Sequence, residues 1–137
     1  MADPTFMLPD VGPVGINLNV ANTSRDMSSG TVFLLATMGG AVGGFFNTVN
    51  LQSLGTNAAC VIRFFLNNGS DPTNAANNTL IGEAQMLATS ASETASLPTV
   101  TKVLSKYAPT GYRLYATRSA FTGGNAGIAA LADFMEI

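Results

Sequence analysis

Residues 58–87 constrain what this chain can fold into more than any other stretch. Two apolar, β-prone runs flank a tip of Asn, Gly, Ser, Asp, Pro and Thr, the pattern of a hairpin with a long loop. With Leu66 and Leu80 closing the ladder, antiparallel pairing sets Phe65 against Ile81, Phe64 against Gly82, Arg63 against Glu83, Ile62 against Ala84 and Cys60 against Met86. One face then carries Cys60, Ile62, Phe64, Leu66, Leu80, Ala84 and Met86 and is expected to be core. The other carries Val61, Phe65, Ile81 and Leu87 around the opposed Arg63 and Glu83. A second face this apolar predicts a further layer or a subunit contact.

The rest of the chain repeats the same rhythm. Residues 15–22 alternate as a half-buried strand, residues 31–37 form a short apolar strand, and residues 45–54 alternate with Val49 and Leu51 on one phase. Pro98 and the Thr/Val content make residues 95–104 extended. Residues 106–111 read as a turn and residues 112–119 as a strand. The final run, 127–137, could be helical by Ala/Leu propensity, but its context favours a closing strand. Three prolines make residues 1–14 an extended arm, whose Phe6, Met7 and Leu8 pack either on their own domain or on a neighbouring subunit. Eight or nine short strands with regular turns predict an all-β chain: one jelly-roll-like β-sandwich domain over residues 15–137, behind the N-terminal arm of residues 1–14.

Charge is scarce. Only 10% of residues are Asp, Glu, Lys or Arg, against about 25% in an ordinary soluble domain. Surface that is not charged must be Ser/Thr/Asn-rich or covered by partners. The six basic residues are scattered and the net charge is −2, which argues against a nucleic-acid footprint. No run approaches the ~20 apolar residues of a membrane-spanning helix. The N-terminus lacks the basic and apolar regions of a secretory signal, so synthesis in a cytoplasm, with use there or release from it, is expected.

The chain contains no His, which excludes Ser-His-Asp and Cys-His nucleophilic arrangements. Cys60 lies inside a strand pattern and reads as a small core hydrophobe. Dispersed carboxylates disfavour a metal centre, and no glycine-rich phosphate motif occurs. No catalytic residue, cofactor or metal is therefore expected.

Four segments, in order, resemble a family. ANTSRDMSSGTVFLLAT (21–37), ACVIRFFLNNGS (59–70), LIGEAQML (80–87) and PTGYRLYATRS (109–119) are similar to small virion proteins of tailed bacteriophages. Those proteins commonly read A-N-T-x-R-D-G, V-R-L-F-L-x-N-G, E-V and L-P-x-G-Y-x-L. This chain departs from the pattern at Met27, where Gly is usual, and at the extended tip 70–78. The resemblance implies a non-enzymatic capsid cement or decoration subunit on the capsid exterior, made in the bacterial host cytoplasm. It would be a homo-oligomer, a trimer, that clamps the major capsid protein. Partner contacts are then expected from Phe6, Met7 and Leu8, from the hairpin's second face (Val61, Arg63, Phe65, Ile81, Glu83), and from Arg113, Tyr115 and Arg118 as a polar strand face. The alternative is a carbohydrate-binding or structural module of a tail or fibre, with Tyr107, Tyr112 and Tyr115 as stacking surfaces.

Overall fold

The computed structural model describes residues 8–9 and 15–137. Nine strands follow in chain order: β1 (Leu8–Pro9), β2 (Ile16–Leu18), β3 (Phe33–Thr37), β4 (Gly44–Ser53), β5 (Cys60–Asn67), β6 (Asn78–Met86), β7 (Thr99–Ala108), β8 (Arg113–Arg118) and β9 (Ile128–Glu136). Both β1 and β2 pair antiparallel with β9, at Leu8–Glu136 and Ile16–Ala130, so together they act as one interrupted edge strand. The first sheet then runs β1/β2-β9-β4-β7 and the second β3-β8-β5-β6. This interleaved order, with successive strands changing sheet except at the β5–β6 hairpin, is the connectivity of a jelly roll. The chain is an all-β sandwich, and its last element is a strand.

Alternation builds the core between the sheets. β4 supplies Phe46, Val49 and Leu51, β9 supplies Ile128, Ala130, Ala132 and Phe134, and β5 and β8 answer with Ile62, Phe64, Leu114 and Ala116, all buried. Phe46 and Val49 are an odd number of residues apart and still share a face. The register against β9 slips by one residue between Phe46 and Thr48, and that bulge absorbs the extra residue. On the same sheet face, Ala130 and Ala132 of β9 sit opposite Leu51 and Val49, next to a tilted Phe46–Phe134 pair at 5.7 Å, so large and small side chains alternate.

The root of the hairpin has the expected register: Cys60–Met86, Ile62–Ala84, Arg63–Glu83 and Phe64–Gly82. Beyond it the ladder shifts, pairing Phe65 with Leu80 and Leu66 with Thr79. Ile81 is the unpaired extra residue. A one-residue insertion reverses the phase, so Ile81 packs against the core while Leu80 is exposed. The expected Leu66–Leu80 closure is corrected accordingly. The turn expected at residues 106–111 also begins later, because β7 extends to Ala108 before Tyr112 N–H donates to Pro109 C=O.

Candidate functional site

The second face of the hairpin is covered by the chain itself around Phe65. Residues 22–32 cross it as a loop and place Met27 against Phe65 and Tyr115, all three buried, with Val32 beside them. At Phe65 the cover is thus a loop of the same chain and not a further sheet layer. Side-chain hydrogen bonds hold this loop, as its Asn/Thr/Ser/Asp sequence allows. Asn22 Nδ2 donates to the carbonyls of Ser29 and Thr31, both at 2.9 Å, and its Oδ1 accepts from Ser24 N–H. Asp26 accepts from the backbone and hydroxyl of Ser28 and from the Ser24 hydroxyl. Led by the Ser28 hydroxyl, those bonds hold the Asp26 carboxyl below its ordinary value. Met27 sits at φ 62°, a left-handed conformation that costs a side-chain-bearing residue about 1 kcal/mol or more. Here the buried thioether offsets the strain.

Beneath the loop, Arg63 stands in a row between Thr117 on β8 and Glu83 on β6. It is 7% exposed. Glu83 Oε1 lies 2.9 Å from Arg25 Nη1 but 3.5 Å from Arg63 Nε. The expected Arg63–Glu83 opposition therefore exists as a register pair, while the shorter ionic contact goes to Arg25 from the loop. Sequence spacing carried no signal for Arg25, which reaches Glu83 only because the loop folds over the sheet.

Arg118 is fully buried and belongs to a different environment from the one expected. It shares parity with Leu114 and Ala116, so it points into the end of the sandwich, and grouping it with Arg113 and Tyr115 is a correction. That parity was visible in the sequence. Its Nε donates to Ala120 C=O at 2.7 Å, Nη1 to Leu18 C=O at 3.0 Å and Nη2 to Asn57 Oδ1 at 3.0 Å. Its guanidinium carbon lies 5.0 Å from the Phe121 ring centroid. Buried Asn57 also accepts from Gly127 N–H and donates to Gly127 C=O. This hub joins β2, the end of β8, the approach to β5 and the start of β9. Burial pushes the nearby Cys60 thiol above its ordinary value, against a smaller opposite pull from Arg118.

Other expected contacts are distributed as follows. Phe65 and Tyr115 are buried within the chain, which leaves them no surface for a partner. Val61, Ile81 and Arg113 are half-buried, and Leu87 is 68% exposed. Leu8 pairs through its backbone with Glu136, whereas Phe6 and Met7 lie outside the described residues. Of the three tyrosines, Tyr107 alone is strongly exposed, and Tyr112 packs against the main core.

A surface that residue-by-residue reading missed is the outer face of β7-β4-β9. Register places Thr99–Gln52–Ala129, Thr101–Asn50–Leu131, Val103–Thr48–Asp133 and Tyr107–Phe45–Met135 in successive rows. Asp133 is its one charged member. Thr101 Oγ1 donates to Asn50 Oδ1 at 2.7 Å, and the Thr99 hydroxyl donates to Gln52. Phe45 and Tyr107 meet edge-on at 5.6 Å. Val103 is 63% exposed, and Leu131 and Tyr107 are exposed beside it. Such a face can offer packing and neutral hydrogen bonding but little electrostatic steering.

No group of three or more His, Cys, Asp or Glu residues that could hold a metal ion occurs among the described residues. No family model, curated protein or solved structure matches this chain.

Proposed function

We propose that this chain is a structural, non-enzymatic virion subunit of a tailed bacteriophage: a capsid cement or decoration protein on the capsid exterior. It associates with copies of itself as a trimer and clamps neighbouring subunits of the major capsid protein, without nucleic acid or membrane. The observation that carries the assembly part is the nearly charge-free outer face of β7-β4-β9 with its exposed Val103, Leu131 and Tyr107. An apolar, charge-depleted centre is how association surfaces differ from the rest of a protein surface. The ordered sequence resemblance supports the virion part. With the hairpin's second face occupied by the chain's own loop, self-association is reassigned to this opposite sheet.

Sedimentation velocity tests the reading. The expected result is a concentration-dependent trimer that Val103→Asp converts to monomer without lowering the unfolding midpoint by more than a few degrees. A monomer at high concentration, with no binding to capsids that lack the protein, overturns it.

A second reading has one observation in its favour. The Phe45–Tyr107 pair ends a face that continues through Thr48 to neutral Asn50, Thr101, Gln52 and Thr99, a mixed aromatic and amide surface suited to a sugar. Under that reading the chain is a carbohydrate-binding module of a tail or fibre. Glycan binding that Tyr107→Ala removes, in a chain that stays monomeric, would select it over cement.

A further inference from the structure

We propose that Arg63, Thr117 and Arg25 form a carboxylate-binding site on the β8-β5-β6 sheet, beneath the loop of residues 22–31. The inference is independent of the virion reading, because it concerns the unassembled chain. Among the described residues, buried Arg63 Nε and Nη1 have no hydrogen-bond partner, and neither has the buried Thr117 hydroxyl directly across the ladder. These groups form one row, and what the guanidinium and hydroxyl have in common is an N–H or O–H to give. A buried donor without an acceptor is costly, more so when it carries charge.

The native counter-ion does not fill the gap. Glu83 is the carboxylate serving both guanidiniums, and its oxygen at 3.5 Å from Arg63 Nε is outside good hydrogen-bonding distance. Arg25 holds that oxygen at 2.9 Å. Two cations on one anion leave a positive charge uncompensated. Arg118, on the neighbouring strand, shows how this fold completes a buried arginine: acceptors occupy Nε, Nη1 and Nη2 alike.

The missing partner is therefore an acceptor with negative charge. A carboxylate suits the planar guanidinium fork, and its second oxygen can reach the threonine hydroxyl or Arg25. A water molecule could satisfy one N–H and the hydroxyl but would leave the charge uncompensated. Beside Arg63, the Arg25 side chain is 66% exposed and that of Glu83 36%. Two sources supply the same chemistry: an acidic side chain of another protein, or a free carboxylate in solution.

The test uses the full chain and the Arg63 Nε–H resonance, followed by NMR during titration with acetate against chloride at matched ionic strength. A saturable shift with acetate is expected, together with a rise in unfolding midpoint of about 3 °C. Arg25→Ala should weaken acetate binding about tenfold, an ion-pair loss of the usual charge-assisted size. Thr117→Val should leave the free chain as stable or more stable while reducing acetate affinity, a combination that a purely structural hydroxyl would not give. An Asp-rich peptide binding at least tenfold more tightly than acetate identifies a protein side chain as the source; equal affinity identifies the free ion. A resonance that moves equally with chloride overturns the proposal, as does tighter binding of inorganic phosphate. So does a bound water between Arg63 and Thr117 with no response to acetate.

Discussion

Arg118 and Arg63 lie on adjacent strands of one sheet and are both removed from solvent, yet their surroundings differ in kind. Arg118 points inward at the end of the sandwich, where strand ends expose carbonyls, and each of its three nitrogens has a neutral acceptor. Arg63 points outward from the middle of β5, where the ladder has already consumed the neighbouring backbone groups, and its acceptors must come from side chains. Burial at a strand end thus supplies its own compensation. Burial in mid-strand under a loop does not, and the guanidinium there is left for something else to complete.

The largest expected effect tests the first half of that contrast. Arg118→Met should cost about 3–5 kcal/mol in urea unfolding, because it takes the guanidinium donors from the Leu18 and Ala120 carbonyls and leaves Asn57 Oδ1 with Gly127 N–H alone. A loss below ~1 kcal/mol would mean that water replaces the guanidinium freely and that the hub is not structural. Next in size is the loop that covers Arg63. Met27→Gly relieves a left-handed φ worth about 1 kcal/mol, but it removes a buried side chain worth about 2–5 kcal/mol. A net loss of about 1–4 kcal/mol follows, and a stabilised variant would show that the loop covers Phe65 without Met27.

Arg63→Met should be within about 1 kcal/mol of the parent or more stable, since a buried, poorly partnered charge is exchanged for packing. If it costs as much as Arg118→Met, the two arginines are equivalent and the contrast fails. The smallest effect is in acid. Hydrogen bonds, first from the Ser28 hydroxyl, lower the folded-state pKa of Asp26. Its contribution to loop stability is therefore present above the unfolded value of about 3.9 and is lost as pH falls through the lower folded value. Amide exchange at Ser28 should accelerate in that window while the amides around Arg118 stay protected. Asp26→Asn should remove the pH dependence at Ser28. Simultaneous exposure of both regions would mean that the loop is not an independent unit.

Much of this was legible in the residues themselves. The strand count, the jelly-roll-like sandwich and the root of the hairpin from Cys60–Met86 to Phe64–Gly82 follow from period-two alternation and turn chemistry, which are local. The bulge at Ile81 was not legible, because one inserted residue leaves an apolar sequence apolar while reversing which face each side chain meets. Arg118 was legible and misgrouped. Its parity matched the core residues of β8, but an arginine reads as surface unless its acceptors are known, and those come from Leu18, Asn57 and Ala120.

The sequence by itself determined the β class, most strand positions, the pairing at the hairpin root and the scarcity of charge. Tertiary structure alone decided which apolar face stays open. It laid residues 22–32 over the hairpin, gave Glu83 to Arg25, and left the outer face of β7-β4-β9 exposed. Alternation is written in neighbouring residues, whereas coverage depends on where a distant loop comes to rest. No local pattern encodes that.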